Sequence, residues 1–214
     1  AIGTDSRIGP KFLNAGPGFG GSCFQKDILN LVYLCRQFGL PEVADYWESV
    51  VALNTWQQHR IARLVVEKLF GTVTGKRLAI LGFAFKANTN DTREAPAIRI
   101  CRDLLEEGAQ LAIHDPKVAA HQIARDLQQE AAPQADALSG TGSWAQACSV
   151  DDAVTGADAV LVLTEWQQYR DLNWISLAGR MRKPAWVFDS RAVVDPEHVK
   201  EAGLTLWRVG DGEG

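Results

Sequence analysis

From Lys76 onward, short apolar runs alternate with amphipathic stretches, and that alternation restricts the fold more than any other feature of the chain. Leu78-Ala79-Ile80-Leu81, Gln110 to His114, Ala159 to Leu163, Trp186-Val187-Phe188 and Leu204 to Val209 read as strands. Uninterrupted apolar runs of this length suit strands buried on both faces. Between them, Arg93 to Glu107 reads as a helix, with Asp91 as its cap, Glu94 three residues later and Gly108 as its stop. Further helical segments are expected near Gln122–Gln129, Asp151–Thr155 and Ile175–Met181. The βαβ alternation predicts an α/β domain over residues 75–214, built on a parallel, doubly wound, Rossmann-like sheet. The stretch from His121 to Ala147 is polar and rich in Ala, Gln and Ser, and is expected to be a surface insertion.

Residues 1–74 read as a helical region. Ile28, Leu31, Val32 and Cys35 repeat at helical spacing until Gly39 and Pro41 end the run. Pro41 then opens a long helix reaching about Phe70, with Val43, Trp47, Val50, Val51, Asn54, Ile61, Leu64, Val65 and Leu69 broadly along one face. Roughly 30 residues at the helical rise would span about 45 Å. A helix of that length extends past a small domain and needs a packing partner. A local bundle would supply one; a second copy of the chain, sharing the helix as a dimer spine, is the favoured reading.

The segment Gly16-Pro17-Gly18-Phe19-Gly20-Gly21-Ser22-Cys23-Phe24-Gln25-Lys26-Asp27 carries the chemistry. A glycine loop delivers one cysteine to a helix start, where Ser22 and Gln25 match a capping box. Helix N-termini and nearby cations favour thiolate over thiol, and thiolate is the reactive form. Asp27 lies four residues after Cys23 and projects from the same face, so a nucleophile and a potential base stand together. A buried structural cysteine is the plainer alternative, and it suits Cys35, within the apolar stripe, better than Cys23.

Ligands of an open α/β sheet bind outside the carboxyl ends of its strands. Gly82 to Lys86 follows the first strand there, and Lys86 reads as a point-charge contact to a phosphate-bearing ligand or as a solvated lysine. No GxGxxG fingerprint occurs anywhere in the chain. Asp115, at the end of the second strand, stands where dinucleotide binders carry a ribose-binding acid, but Asp115-Pro116 also suits a turn. Arg93, in the first turn of its expected helix, points either to an anion or to a salt bridge with Asp91 or Glu94. Arg191, at another strand exit, is a ligand contact or a partner of Asp189.

Three stretches, taken in order, resemble the UDP-glucose/GDP-mannose dehydrogenase family, and its UDP-glucose branch in particular. They are Gly18-Phe19-Gly20-Gly21-Ser22-Cys23-Phe24-Gln25-Lys26-Asp27, Gly82-Phe83-Ala84-Phe85-Lys86 with Asp91-Thr92-Arg93-Glu94, and Phe188-Asp189-Ser190-Arg191. The resemblance runs from Arg7 to about Arg208. It implies oxidation of the C6 hydroxyl of UDP-glucose to UDP-glucuronate with NAD as cofactor. Cys23 would be the nucleophile, through a thiohemiacetal and a thioester, with Asp27 assisting base chemistry or water activation. Phe12, Asn14, Ala15, Gly16, Pro17, Gly18, Phe19, Gly20, Phe85, Lys86 and Arg191 would contact the sugar nucleotide. Arg7 would reach a substrate, its own or a partner subunit's. Cys23, Phe24, Gln25, Lys26 and Arg93 would border NAD. The family's amino-terminal half is not represented in this sequence, so the chain is expected to be a central helical domain plus a UDP-binding domain, inactive alone. Ser190 and Pro17 depart from the residues the family commonly carries.

A net charge of −4 gives no electrostatic footprint for nucleic acid. Cys23, Cys35, Cys101 and Cys148 have neither CxxC nor metal-ligand spacing, which suits a reducing compartment and no metal. No apolar run is long enough to cross a bilayer and no signal-peptide pattern opens the chain, so a cytoplasmic location is the expectation. Two other functions stay open: a non-catalytic dimerisation and sugar-nucleotide-binding module, and a cysteine-dependent transferase or hydrolase. A dehydrogenase for GDP-mannose or another nucleotide sugar is the nearest alternative substrate class.

Overall fold

The computed structural model describes residues 2–10, 13–132 and 141–212. Its elements, in chain order, are α1 (Phe24–Gln37), α2 (Pro41–Lys68), β1 (Arg77–Leu81), α3 (Pro96–Glu106), β2 (Gln110–His114), α4 (Ala120–Leu127), β3 (Ser143–Gln146), α5 (Val150–Val154), β4 (Ala159–Val162), α6 (Gln167–Arg170), α7 (Trp174–Ala178), β5 (Trp186–Asp189), α8 (Pro196–Glu201) and β6 (Thr205–Arg208), after a short 3-10 turn at Ile2–Thr4. All strands run parallel in one six-stranded sheet of order β3-β2-β1-β4-β5-β6. That order reverses between β1 and β4, which makes their carboxyl ends the crevice of a doubly wound fold.

Burial accounts for the strands. Leu78, Ala79, Ile80 and Leu81 of β1 are fully buried, as are Ala159 to Val162 of β4, because helices cover both faces. The helix α2 spans 28 residues, about 42 Å at the helical rise. Pro41 starts it, at a position where a missing N–H costs nothing. Its two ends lie in different cores. Ile61, Ala62, Leu64 and Val65 join the large core around the sheet, whereas Ala44 packs with Ile28, Val32 and Cys35 of α1 in a separate small cluster. Leu31 and Val43, both assigned to the apolar faces above, are exposed.

Four expectations need correction. Ser22 caps nothing: Cys23 itself is the N-cap residue of α1, without a side-chain cap, and the Ser22 hydroxyl lies 3.7 Å from the Cys23 sulfur. Helix α3 begins at Pro96 rather than Arg93, and Asp91 is not its cap. The cause is local: Glu94 has a φ of 52°, and Ala95, which precedes proline, is held extended. The stretch from His121 to Ala147 is more than an insertion, because Ser143–Gln146 forms the sheet's edge strand with Trp144 buried beneath it. Gln110, Leu111, Ala112 and Ile113 of β2 supply the pairing that a four-residue polar strand cannot signal by itself. Finally, α6 and α8 were not anticipated; each is short, and the α8 cap comes from Asp195, whose carboxylate accepts from the Glu197 N–H.

Trp144 anchors the edge by packing in the core and donating its indole N–H to the Gln129 carbonyl at 2.9 Å. Trp144→Ala is expected to destabilise the chain by about 3–5 kcal/mol, measured by urea unfolding followed by far-UV circular dichroism. A loss below 1 kcal/mol would mean that β3 contributes little to the fold.

Candidate active site

The glycine loop reaches the first turn of α1 while held from two sides. On one side Asn54, Gln57 and Gln58 of α2 bond its main chain. The Phe19 N–H donates to Asn54 Oδ1 at 2.8 Å, Asn54 Nδ2 donates to the Phe19 carbonyl at 3.1 Å, Gln58 Nε2 donates to the same carbonyl at 3.4 Å, and Gln57 Nε2 donates to the Gly16 carbonyl at 3.0 Å. On the other side, the Gly21 N–H donates to the Arg93 carbonyl at 2.9 Å. A side chain at Gly20 would collide with the Glu94 carbonyl oxygen, so glycine is required where the two segments cross.

Cys23 emerges exposed at the N-terminus of α1, and its main-chain carbonyl accepts from the Asp27 N–H at 2.8 Å. Asp27 and Lys26 are exposed on the same first turn. Phe24 packs edge-on against Phe19, with ring centres 4.7 Å apart. Arg93 is close enough for the Cys23 charge to add to the upward displacement of its guanidinium pKa, whose leading cause is Asp91. Asp91 grips Arg93 in a two-pronged pair, at 2.7 Å on one oxygen, and Arg93 in turn holds the Asp91 carboxyl below its ordinary range. The salt bridge expected for Arg93 therefore exists, and the arginine still borders the cysteine.

A cavity of about 820 Å³ opens beside this turn, with Ser22, Lys26, Arg93, Arg99, Arg102 and Arg125 in its lining. Asp103, Glu106 and Asp126 share that lining, so the cationic groups there are largely offset.

The second half of the site lies at the strand exits. Arg191, half-buried after β5, donates from Nε to the Leu163 carbonyl at 2.9 Å and from Nη2 to the Phe85 carbonyl at 3.1 Å. It also stands 3.3 Å from Glu165. Burial lowers its pKa, and the Glu165 carboxylate opposes that shift. Asp189 bonds Arg191 through the main-chain N–H, not through the guanidinium. Gly16 approaches Arg191 from the loop side, 3.8 Å from Nη1 to where a Cβ would stand. Lys86 is exposed, its ammonium 5.2 Å above the Phe85 ring. Asn14 and Ala15 are exposed, and Pro17 is buried. Arg7 lies apart from these groups, highly exposed and paired with Asp5 at 2.7 Å. Phe12 falls outside the described residues.

Asp115 is not a ribose ligand. One of its oxygens accepts from the Phe83 and Ala84 N–H groups and the Trp166 indole, and the other accepts from the Lys117 and Val118 N–H groups. The carboxylate is spent on closing its own turn. The amides of α2 carry one usable sign in the sequence: Asn54 is a polar residue in an apolar stripe, and a buried amide must find partners.

The family model for the UDP-binding domain of the UDP-glucose/GDP-mannose dehydrogenases matches residues 79–196, and that for the central domain of the same proteins matches residues 1–56. The chain belongs to the UDP-glucose/GDP-mannose dehydrogenase family. UDP-glucose 6-dehydrogenase 5 of Oryza sativa subsp. japonica is 48% identical over 98% of the chain, and UDP-glucose 6-dehydrogenase 1 of Arabidopsis thaliana is likewise 48% identical over 98%. The chain spans 45% of the length of each of these relatives. The solved UDP-glucose dehydrogenase of Pyrobaculum islandicum superposes with a TM-score of 0.71 at 29% identity, covering 96% of this chain and 41% of that one. Among the described residues, no helix is long and apolar enough to cross a membrane, and no group of three His, Cys, Asp or Glu side chains is placed to hold a metal ion.

Asp189 offers a pH test of the strand-exit geometry in this family member. Burial raises its carboxyl above the ordinary 3.8, against the pull of the Val194 and Arg191 N–H groups. A raised folded-state value contributes stability that is complete below the unfolded value and is lost as pH rises through the folded one. Relative to Asp189→Asn, the parent chain should therefore lose stability as pH rises from about 3.8 and level off above the folded midpoint. Unfolding curves of both proteins across that range check this; a pH-independent difference would sink it.

Proposed function

We propose that this chain is the nucleophile-bearing and sugar-nucleotide-binding portion of an NAD-dependent UDP-glucose 6-dehydrogenase. The observation that carries the proposal is the loop that joins Cys23, beside Arg93 at a helix N-terminus, to Arg191 and Phe85 at the sheet's switch point. The identity to plant UDP-glucose 6-dehydrogenases supports the same reading and the choice of UDP-glucose. In domain terms, residues 1–74 form the helical dimerisation domain with the cysteine, and residues 75–214 the UDP-sugar domain.

The sugar nucleotide lies along Asn14 to Gly20, with Lys86 and Arg191 toward the diphosphate and Phe85 at the strand exit. Arg7, highly exposed, reaches a substrate, its own or a neighbouring subunit's. A first loss of a hydride from C6 and a proton from its hydroxyl gives the aldehyde, and the Cys23 sulfur then adds to that carbon, forming a C–S bond and a thiohemiacetal. Departure of hydride from that carbon leaves a thioester, and water then cleaves the C–S bond to give the carboxylate and restore the thiol. Asp27 assists by accepting a proton from the attacking water.

The hydride acceptor is NAD. The sheet's own residues do not fit a dinucleotide: the first turn has one glycine, and Asp115 has no oxygen to spare for a ribose. Phe24, Gln25, Lys26 and Arg93 would border the cofactor, and the dinucleotide itself needs a fold outside these residues. The chain alone is therefore inactive.

Calorimetric titration of the chain with UDP-glucose should give saturable heat, with GDP-mannose unable to compete. Lys86→Ala should weaken binding about tenfold, as expected for a charged hydrogen bond to phosphate. Absence of heat with UDP-glucose would overturn the assignment of the sugar-nucleotide site to this half.

The dimer reading rests on α2, where Tyr46, Leu53 and Trp56 are exposed at 65%, 65% and 49% at helical spacing. Sedimentation of the chain should show a dimer, and the double substitution Leu53→Asp with Trp56→Asp should convert it to a monomer. A parent chain that sediments as a monomer would remove the spine.

A further inference from the structure

We propose that Asn54 is a positioning residue for Cys23, acting through the main chain of Phe19. This rests on Cys23 being the nucleophile. Asn54 is 8% exposed, and its amide meets both polar groups of the Phe19 peptide, as a neighbouring strand would. A side chain at Gly18 would stand 2.7 Å from Asn54 Oδ1, so the loop is shaped to admit this amide. Between Phe19 and Cys23 lie two glycines and a serine, which have little means of fixing their own path. The path is set by two anchors, Asn54 on Phe19 and the Arg93 carbonyl on the Gly21 N–H. The Phe19 ring, resting against Phe24, passes the first anchor directly to the cysteine's neighbour.

Gln58 extends the arrangement. It is 6% exposed, donates to the Phe19 carbonyl, and accepts from Arg99 Nε of α3 at 3.1 Å. Gln57 holds the Gly16 carbonyl close to Arg191. One turn of α2 thus sets the loop at its sugar-nucleotide end and at its cysteine end together. Without Asn54, Cys23 sits at the end of a glycine tether and no longer keeps its place over the helix N-terminus beside Arg93.

Iodoacetamide labelling of the intact chain, resolved by peptide mass spectrometry, tests this with internal controls. Cys148 is exposed and remote, and reports intrinsic thiol reactivity; Cys35 and Cys101 are buried, and report loss of fold. Asn54→Leu keeps the volume and removes both hydrogen bonds; Asn54→Asp keeps the acceptor for the Phe19 N–H. The Cys23-to-Cys148 rate ratio should fall about two- to fivefold in Asn54→Leu and by less in Asn54→Asp, the range a helix N-terminus and one cation support. Cys35 and Cys101 should stay unlabelled. An unchanged ratio in a folded Asn54→Leu chain would overturn the positioning role alone. If Asn54→Leu exposes Cys35 or Cys101, Asn54→Asp decides in its place, and an unchanged ratio there overturns the proposal. A parent Cys23 no faster than Cys148 would instead remove the nucleophile reading and this inference with it.

Discussion

A single unbroken helix serves two hydrophobic cores, and the relation between the chain's halves depends on it. Ile61, Leu64 and Val65 of α2 are buried against the sheet, while Ala44, five turns earlier, closes the small cluster on α1. A helix transmits position over such a span because each turn is fixed by its own hydrogen bonds. Between the two cores comes the segment that carries Asn54, Gln57 and Gln58. A polar cluster there is possible because both neighbouring cores already exclude water, and each amide finds a partner on the glycine loop. The helical half is small, with few buried residues of its own, so its order is borrowed from the sheet through α2.

The sheet's carboxyl edge is equally self-contained. Asp115 closes the turns after β1 and β2, Thr164 donates its hydroxyl to the Ala84 carbonyl at 2.6 Å, and Arg191 joins the turns after β1 and β4. A strand order shared with dinucleotide-binding sheets does not make this one a dinucleotide site, because function follows the residues at the exits. Here those residues have spent their acid on their own backbone. Lys86, Phe85 and part of Arg191 still face outward there, with the Glu165 carboxylate beside Arg191.

Sequence legibility followed burial. The β1 and β4 strands, fully buried, announce themselves as continuous apolar runs, and α2 does so by length and its opening proline. By contrast β3 reads as polar loop, because an edge strand of four residues takes its stability largely from its pairing with β2 and the burial of Trp144. The start of α3 was misplaced because Asp91 followed by Glu94 looks like a cap, whereas Pro96 and the left-handed Glu94 decide the boundary. The placement of Cys23 at a helix start, and of Lys86 and Arg191 at strand exits, was legible from glycine spacing and strand position. The use of Asp115 was not, since a carboxylate at a strand end has the same letter whether it binds a ligand or its own turn. The amides of α2 were half visible: Asn54 broke an apolar stripe, but its partner lies 35 residues away.

The four cysteines stand in different settings, and position separates them where residue type does not. Cys101 is completely buried in the sheet core, where desolvation drives its thiol strongly upward in pKa, assisted by Asp103, and leaves it an apolar side chain in effect. Cys35 is likewise enclosed, in the α1 cluster. Exposure alone would leave Cys23 and Cys148 equivalent. They differ in what surrounds them: Cys148 follows the edge strand and its N–H donates to Asp152, an anionic neighbour. Cys23 stands over the free N–H groups of a fourteen-residue helix, with Arg93 alongside. Arg93 is itself held by Asp91 and by the Gly21 N–H on its carbonyl, so the cation and the cysteine loop are fixed to each other rather than merely adjacent. The glycines let the loop pass close to Glu94, the amides of α2 keep it there, and the position of Cys23 is the result of both.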